Sequence, residues 1–303
     1  MDHSLSQKII QLKKEKDAII LAHYYQRGEV QDIADFVGDS YYLSKVAKDC
    51  KENTIVFCGV KFMAESAKIL SPDKRVLLPA FDAGCPMADM ADAEGVLEMR
   101  KKYPDAKVVC YINSTAEVKA VSDICCTSSN AVQIINNIKE KEIIFLPDKN
   151  LGQYIQNQVP NKKIILWDGF CITHKKVTKE QILKVKDIHP DIKILVHPEC
   201  EIEVIELGDF VGSTGGIISF ASNSDFEKYL IVTEVGVLHE LKKRNPNKKF
   251  FNPLGTMTCI NMKKTTLENV YDSLLYSQHE IILDEDLRKK AYNSLINMHI
   301  FGR

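Results

Sequence analysis

Apolar positions along this chain cluster in short unbroken runs, separated by longer stretches in which they recur at helical spacing. The runs cover residues 18–21, 54–57, 75–78, 107–110, 142–145, 163–166, 192–196 and 249–251. Continuous rather than alternating apolar character predicts strands buried on both faces, as in parallel sheets. Between them, segments such as residues 41–50 and 130–138 predict helices. Strand and helix in alternation define α/β units joined by right-handed crossovers.

The pattern repeats. A first strand ends at His23, Tyr111 and His197, in steps of 88 and 86 residues. A polar turn follows at Gly38-Asp39-Ser40, Cys126-Thr127-Ser128 and Gly212-Ser213-Thr214, again in steps of 88 and 86. A third strand runs into Cys85, Cys171 and Cys259, in steps of 86 and 88. One period shared by three landmarks predicts three similar α/β lobes, residues 1–85, 86–172 and 173–260, with a helical tail over 261–303. No proline- or glycine-rich linker separates them, so rigid packing is expected. In the tail, Asp284, Glu285 and Asp286 suit a helix N-terminus. Leu287, Ala291, Leu295 and Met298 then form a packing stripe, which folds the tail back on the lobes.

Composition narrows the classes. The chain has 303 residues, 45% hydrophobic, with 40 basic and 41 acidic side chains. A formal charge of -1 argues against a nucleic-acid partner, and no apolar run approaches the ~18–20 residues of a membrane span. The segment Met1-Asp2-His3-Ser4 carries no export pattern, so a cytoplasmic protein is expected. Nine cysteines, an odd number, with no C-x-x-C pair, argue for reduced thiols rather than a disulfide framework or a local zinc motif. Cys50, Cys58 and Cys110 read as buried thiols, and so do Cys125 and Cys126.

The three landmarks all lie at strand ends or in the turns after them, where parallel α/β sheets bind ligands. If the lobes surround a pseudo-threefold axis, those ends converge. Cys85, Cys171 and Cys259 then become neighbours and suit a metal. Three thiolates fit zinc with an open position, or an iron–sulfur cube with one iron lacking a cysteine. Ser40, Ser128, Ser213 and Thr214 precede helices, where a hydroxyl either caps the helix or helps bind an anion. The glycines of Gly212-Ser213-Thr214-Gly215-Gly216 favour close approach of a ligand, although no P-loop lysine follows. His23, Tyr111 and His197, with Tyr25, Asn113 and Glu199 close behind, combine imidazole, phenol, amide and carboxylate, a set suited to moving protons. His174, three residues past Cys171, is placed just outside that set. Lys242-Lys243-Arg244 reads as a solvated helix face.

These residues together resemble the quinolinate synthase family. The matching segments are His23-Tyr24-Tyr25-Gln26, Gly38-Asp39-Ser40, Phe62-Met63-Ala64-Glu65 and Gly84-Cys85-Pro86-Met87-Ala88. They continue with Tyr111-Ile112-Asn113-Ser114, Thr127-Ser128-Ser129-Asn130-Ala131 and His197-Pro198-Glu199-Cys200. Gly212-Ser213-Thr214 and Met257-Thr258-Cys259-Ile260-Asn261-Met262-Lys263 complete the set, in family order over nearly the whole chain. The cysteine-rich C-terminal motif of some members does not occur in these 303 residues.

The resemblance implies an α/β protein of three homologous three-layer α/β/α lobes around a [4Fe-4S] cluster, with Cys85, Cys171 and Cys259 as ligands. It implies condensation of iminoaspartate with dihydroxyacetone phosphate to quinolinate, phosphate and water in NAD biosynthesis, the cluster acting as a Lewis acid in dehydration. His23, Ser40, Tyr111, Asn113, Ser128, His197, Glu199 and Thr214 fall on its substrate-contact positions, and Tyr25 on a catalytic tyrosine. On this reading Glu199, with His197, is the principal base, Tyr25 and Tyr111 assist proton transfer, and Ser213 joins the anion-binding turns. An aspartate oxidase or dehydrogenase would supply iminoaspartate. The residues alone also admit a zinc hydrolase on the same thiolates, or a sugar-phosphate binding module.

Overall fold

The apolar runs become strands of three parallel sheets. A computed structural model describes residues 3–253 and 257–302, so Met1 and Asp2 of the segment searched for an export signal lie outside it. The first lobe runs α1 (His3–Glu15), β1 (Ala18–His23), α2 (Gly28–Ile33), β2 (Phe36–Gly38), α3 (Ser40–Asp49), β3 (Thr54–Cys58), α4 (Lys61–Leu70) and β4 (Arg75–Leu77). The second repeats that order with α5 (Ala93–Lys102), β5 (Lys107–Tyr111), α6 (Ala116–Ala120), β6 (Ile124–Cys126), α7 (Ala131–Asn137), β7 (Glu142–Leu146), α8 (Lys149–Gln158) and β8 (Lys163–Leu166). The third does so with α9 (Lys179–Ile188), β9 (Lys193–Val196), α10 (Ile202–Ile205), β10 (Phe210–Val211), α11 (Thr214–Asn223), β11 (Lys228–Val232), α12 (Val237–Arg244) and β12 (Lys249–Phe251).

Each sheet has four strands, all parallel, in the order second, first, third, fourth. The chain therefore leaves the first strand toward one edge and returns toward the other. Such a reversal opens a crevice at the C-terminal strand ends. β1 and β3 are buried along their whole length, which explains their unbroken apolar sequence.

Four strands escape the apolar-run reading. β2, β6 and β10 are edge strands of two or three residues, too short to show a period. β11 carries Tyr229-Leu230-Ile231-Val232, as apolar as its neighbours, and the same signal identifies it. Counting these strands corrects one expectation: the strand before Cys85, Cys171 and Cys259 is the fourth of its lobe. The cysteines sit in loops beyond that strand.

The tail forms α13 (Leu267–Tyr276) and α14 (Glu285–Phe301). Asp284 caps α14, accepting from Leu287 N at 3.0 Å. Its stripe of Ala291, Leu295 and Met298 is fully buried. α14 packs against α6 and β6 of the second lobe and α4 of the first, so it bridges two lobes. Leu295→Ala should therefore cost about 2–5 kcal/mol through a cavity at that junction. A thermal or urea midpoint unchanged in that variant would contradict the bridging role. Among the described residues, no helix is long and apolar enough to cross a membrane.

Candidate active site

The threefold repeat brings equivalent strand ends to one place. His23 ends β1, Tyr111 ends β5, and His197 follows β9 by one residue. Two residues on stand Tyr25, Asn113 and Glu199. Beyond the second strands, Ser40 and Thr214 open α3 and α11, and Ser128 stands three residues before α7. All nine side chains, with Cys85, Cys171 and Cys259, line a single cavity. It holds about 700 Å3 of non-atom space, the open solvent at its mouth included. Ser213 does not line it. Its hydroxyl caps α11 by accepting from Gly216 N at 3.1 Å.

The cysteine loops are held by a contact repeated in each lobe. Lys61 N donates to Ala83 O, Lys149 N to Gly169 O, and Val235 N to Met257 O, all at 2.8 Å. Each acceptor lies two residues before its cysteine. Gly169 has no room for a side chain, because a Cβ there would lie 2.4 Å from the Pro147 carbonyl oxygen. That close approach brings the Cys171 loop in.

Glu199 is the hub of the polar contacts. Tyr111 Oη donates to Glu199 Oε1 at 2.5 Å. His174 Nδ1 lies 2.8 Å from Glu199 Oε2 and 3.2 Å from Cys171 Sγ. An ionised carboxylate only accepts, so Nδ1 carries a proton toward Glu199, while Nε2 lies 2.9 Å from Thr233 Oγ1. Thr233 Oγ1 in turn is 2.6 Å from Tyr25 Oη, which is 2.8 Å from Thr214 Oγ1. These contacts form one chain, Tyr111–Glu199–His174–Thr233–Tyr25–Thr214, drawn from all three lobes.

The other two histidines have set tautomers. His23 Nδ1 accepts from Tyr25 N at 3.1 Å, and His197 Nδ1 accepts from Glu199 N at 3.4 Å. Their Nε2–H groups are therefore free to serve the cavity. That of His197 donates to Ser128 Oγ at 3.2 Å.

Burial sets the charges. Burial of the imidazoles lowers His23 to about 3 and His197 to about 4 from the ordinary 6.5. Burial also works to raise Glu199. The imidazoles of His174 and His197 and the Tyr111 hydrogen bond outweigh it and hold Glu199 well below the usual carboxylate range. Burial and the Glu199 charge push Tyr25 and Tyr111 well above 10, so both are neutral phenols able to donate.

The thiols test whether a metal suits the site. Burial pushes Cys85 up to about 12, and the charges of Cys259 and Glu199 add to the effect. Burial and Glu199 likewise raise Cys171, and burial raises Cys259. Three partly buried thiols whose anions repel one another resist ionising unaided, and a cation among them reverses that balance. Cys171 Sγ, His174 Nδ1 and Glu199 Oε2 also lie together as metal-ligand atoms, although these three already hydrogen-bond one another. A cysteine-containing potential metal site is therefore present.

The match to known proteins is extensive. The family model described as quinolinate synthetase A protein matches residues 7–300. The chain belongs to that family. It is 63% identical over 295 residues to the quinolinate synthase of Clostridium perfringens, covering 97% of this chain and 98% of that protein. It is 58% identical to the quinolinate synthases of Clostridioides difficile, covering 99% and 98%, and Caldicellulosiruptor saccharolyticus, covering 97% of each. The chain is thus an enzyme of the quinolinate synthetase A family.

In this member of the family, the cavity also includes residues that sequence reasoning missed. Asp39 caps α3, accepting from Tyr42 N at 2.9 Å, and lines the cavity. Glu234 lines it as well, and Thr233 beside it joins the polar chain without lining the cavity; both follow directly on β11, so registering that apolar run would have flagged its C-terminal end. His174 was placed near the site by spacing, and its contacts put it within the polar chain.

The low histidine values make a pH prediction. Folded, His23 and His197 stay neutral down to about 4 and below, while the same side chains unfolded bind protons from 6.5. Over that window the unfolded chain holds more protons, so stability falls as pH drops from about 6.5 toward 4. Urea midpoints should fall between about pH 7 and 5, and His197→Gln should show a shallower fall. Equal slopes in the two proteins would count against the assignment.

Proposed function

We propose that this protein condenses iminoaspartate with dihydroxyacetone phosphate to form quinolinate, phosphate and water, the step that builds the pyridine ring for NAD. The observation that carries the reading is the shared cavity: one cysteine from each lobe faces the same space as Glu199, Tyr25 and two neutral histidines. On this reading Cys85, Cys171 and Cys259 hold a [4Fe-4S] cluster, whose iron without a cysteine would supply a Lewis acid for dehydration. The lobes are bounded at 85/86, 172/173 and 260/261, with the ligands near each join.

The turns at Ser40, Ser128 and Thr214, with His23 Nε2–H, bind the two carboxylates and the phosphate. Asn113 orients the intermediate. The enamine carbon of iminoaspartate displaces phosphate from dihydroxyacetone phosphate, making the carbon–carbon bond. Glu199, ionised and held by Tyr111 and His174, takes a proton from carbon during keto–aldo isomerisation, with His197 beside it. Nitrogen then attacks the carbonyl to close the ring. Tyr25 is a neutral phenol joined to Glu199 through Thr233 and His174, which supports proton exchange between the two without bulk water. Loss of two waters, one from the ring-closing carbinolamine and one from the remaining hydroxyl, and aromatisation complete the product. An aspartate oxidase or dehydrogenase would supply the unstable imine.

The test is an anaerobic assay with iminoaspartate generated in place, dihydroxyacetone phosphate added, and quinolinate measured directly beside iron and sulfide counts. Quinolinate together with about four irons and four sulfides per chain is expected. Zinc without iron or sulfide would overturn the cluster and favour a zinc hydrolase. Loaded protein that binds dihydroxyacetone phosphate and makes no quinolinate would overturn the activity.

A further inference from the structure

Glu234, which lines the cavity, and Lys263 form an ion pair that the chemistry above does not use, the carboxylate fully buried and the ammonium partly so. Glu234 follows β11 and is 0% exposed. Its Oε1 accepts from Cys259 N at 3.0 Å and its Oε2 from Gly236 N at 2.7 Å. Lys263 Nζ lies 2.9 Å from Oε1 and 3.0 Å from Oε2, and it also donates to the Tyr25 carbonyl. One ammonium thus joins the carboxylate that holds the Cys259 peptide to the main chain of Tyr25, in the first lobe.

Neighbouring contacts run the same way. Arg27 Nε donates to Lys263 O at 2.8 Å, and Gln31 Nε2 donates to Gly236 O at 3.0 Å. The fit is tight. A Cβ at Gly236 would lie 2.7 Å from the Tyr25 carbonyl carbon and 2.8 Å from both Glu234 Oε2 and Lys263 Nζ. At the corresponding positions the second lobe has Asp148, a fully buried carboxylate that accepts from the main chain of its own cysteine, Cys171, and the first lobe has Val60, which offers no acceptor; what is particular to the third lobe is the Lys263 ammonium that ties its carboxylate to Tyr25.

We propose that Glu234 and Lys263 are positioning residues that lock the Cys259 loop of the third lobe to the Tyr25 segment of the first. The pair sets the metal-holding thiol and the proton-donating phenol in one register. The proposal rests on the reading of Cys259 as a metal-holding thiol. Removing one partner of a buried pair strands the other, whereas removing both is often tolerated. Residues that orient metal ligands typically change metal affinity or activity by about 10–100-fold.

The experiment uses the anaerobic, iron-loaded full chain. Lys263→Met should release iron to bathophenanthroline roughly 10–100-fold faster and lower kcat with little change in KM. The double variant Glu234→Met with Lys263→Met should regain the unfolding midpoint while iron release stays fast, because the Cys259 N–H has no acceptor. Lys263→Arg should restore slow release. In the unsubstituted apo protein, the Cys259 amide should be protected from hydrogen exchange. A wild type that loads no iron would refute the metal reading of Cys259. An iron-loaded wild type beside a folded double variant with wild-type release and kcat would overturn the positioning role, and so would a freely exchanging Cys259 amide.

Discussion

Cys259→Ala is expected to give a folded protein that retains no iron–sulfur cluster and makes no quinolinate. Cys259 is partly exposed, in a loop between β12 and a short turn at Asn261–Lys263. The loop's main chain is held by Glu234 and by the Lys263 N–H on the Cys259 carbonyl, neither of which needs the thiol. Losing the sulfur therefore opens no core cavity, and the unfolding midpoint should move little. Two remaining cysteines cannot grip a cube that already has one corner free of cysteine. Cys58→Ala is the contrast. Cys58 is fully buried in β3, so that variant should lose stability by a cavity and keep its iron. A folded Cys259→Ala protein with full iron and normal turnover would remove Cys259 from the ligand set.

Glu199→Gln should separate proton transfer from metal holding. The amide keeps the size of the carboxyl and an oxygen to accept from Tyr111 or His174, so the fold and the iron content should survive. It cannot take a proton. General-base contributions of about 10²–10⁴-fold set the expected loss in kcat, with a smaller effect on KM. Because His174 and Tyr111 hold the carboxyl far below its usual range, the wild-type base stays ionised throughout the neutral region. The acid limb of the pH–rate profile should therefore not track an ordinary carboxylate. Unchanged kcat in an iron-replete Glu199→Gln enzyme would reject Glu199 as the principal base.

Much of this architecture is legible in one dimension because burial on both faces leaves a local record. β1, β3, β5 and β7 are unbroken apolar runs, and their period carries His23, Tyr111 and His197 to equivalent ends. The cysteines follow the same logic, since a repeat that closes on itself makes residues 86 and 88 apart into neighbours. The short edge strands β2, β6 and β10 leave no such record, which displaced the strand count before each cysteine by one. Ser213 and Thr214 show another limit. Adjacent hydroxyls at a helix start look alike in sequence, yet one caps α11 and the other reaches Tyr25.

The sequence by itself determined the α/β class, the threefold period, the three cysteines and the strand-end residues that make a polar site. These follow from patterns within a few residues, repeated. Only the tertiary structure decided that His174 and Thr233 connect Glu199 to Tyr25, and that Lys263 ties Glu234 to the Tyr25 main chain. Glu199, His174, Thr233 and Glu234 belong to the third lobe, Tyr25 to the first and Lys263 to the tail, so their meeting depends on how those pieces are docked. Docking is set by the summed packing of many side chains, so it leaves no periodic trace in any one stretch of chain.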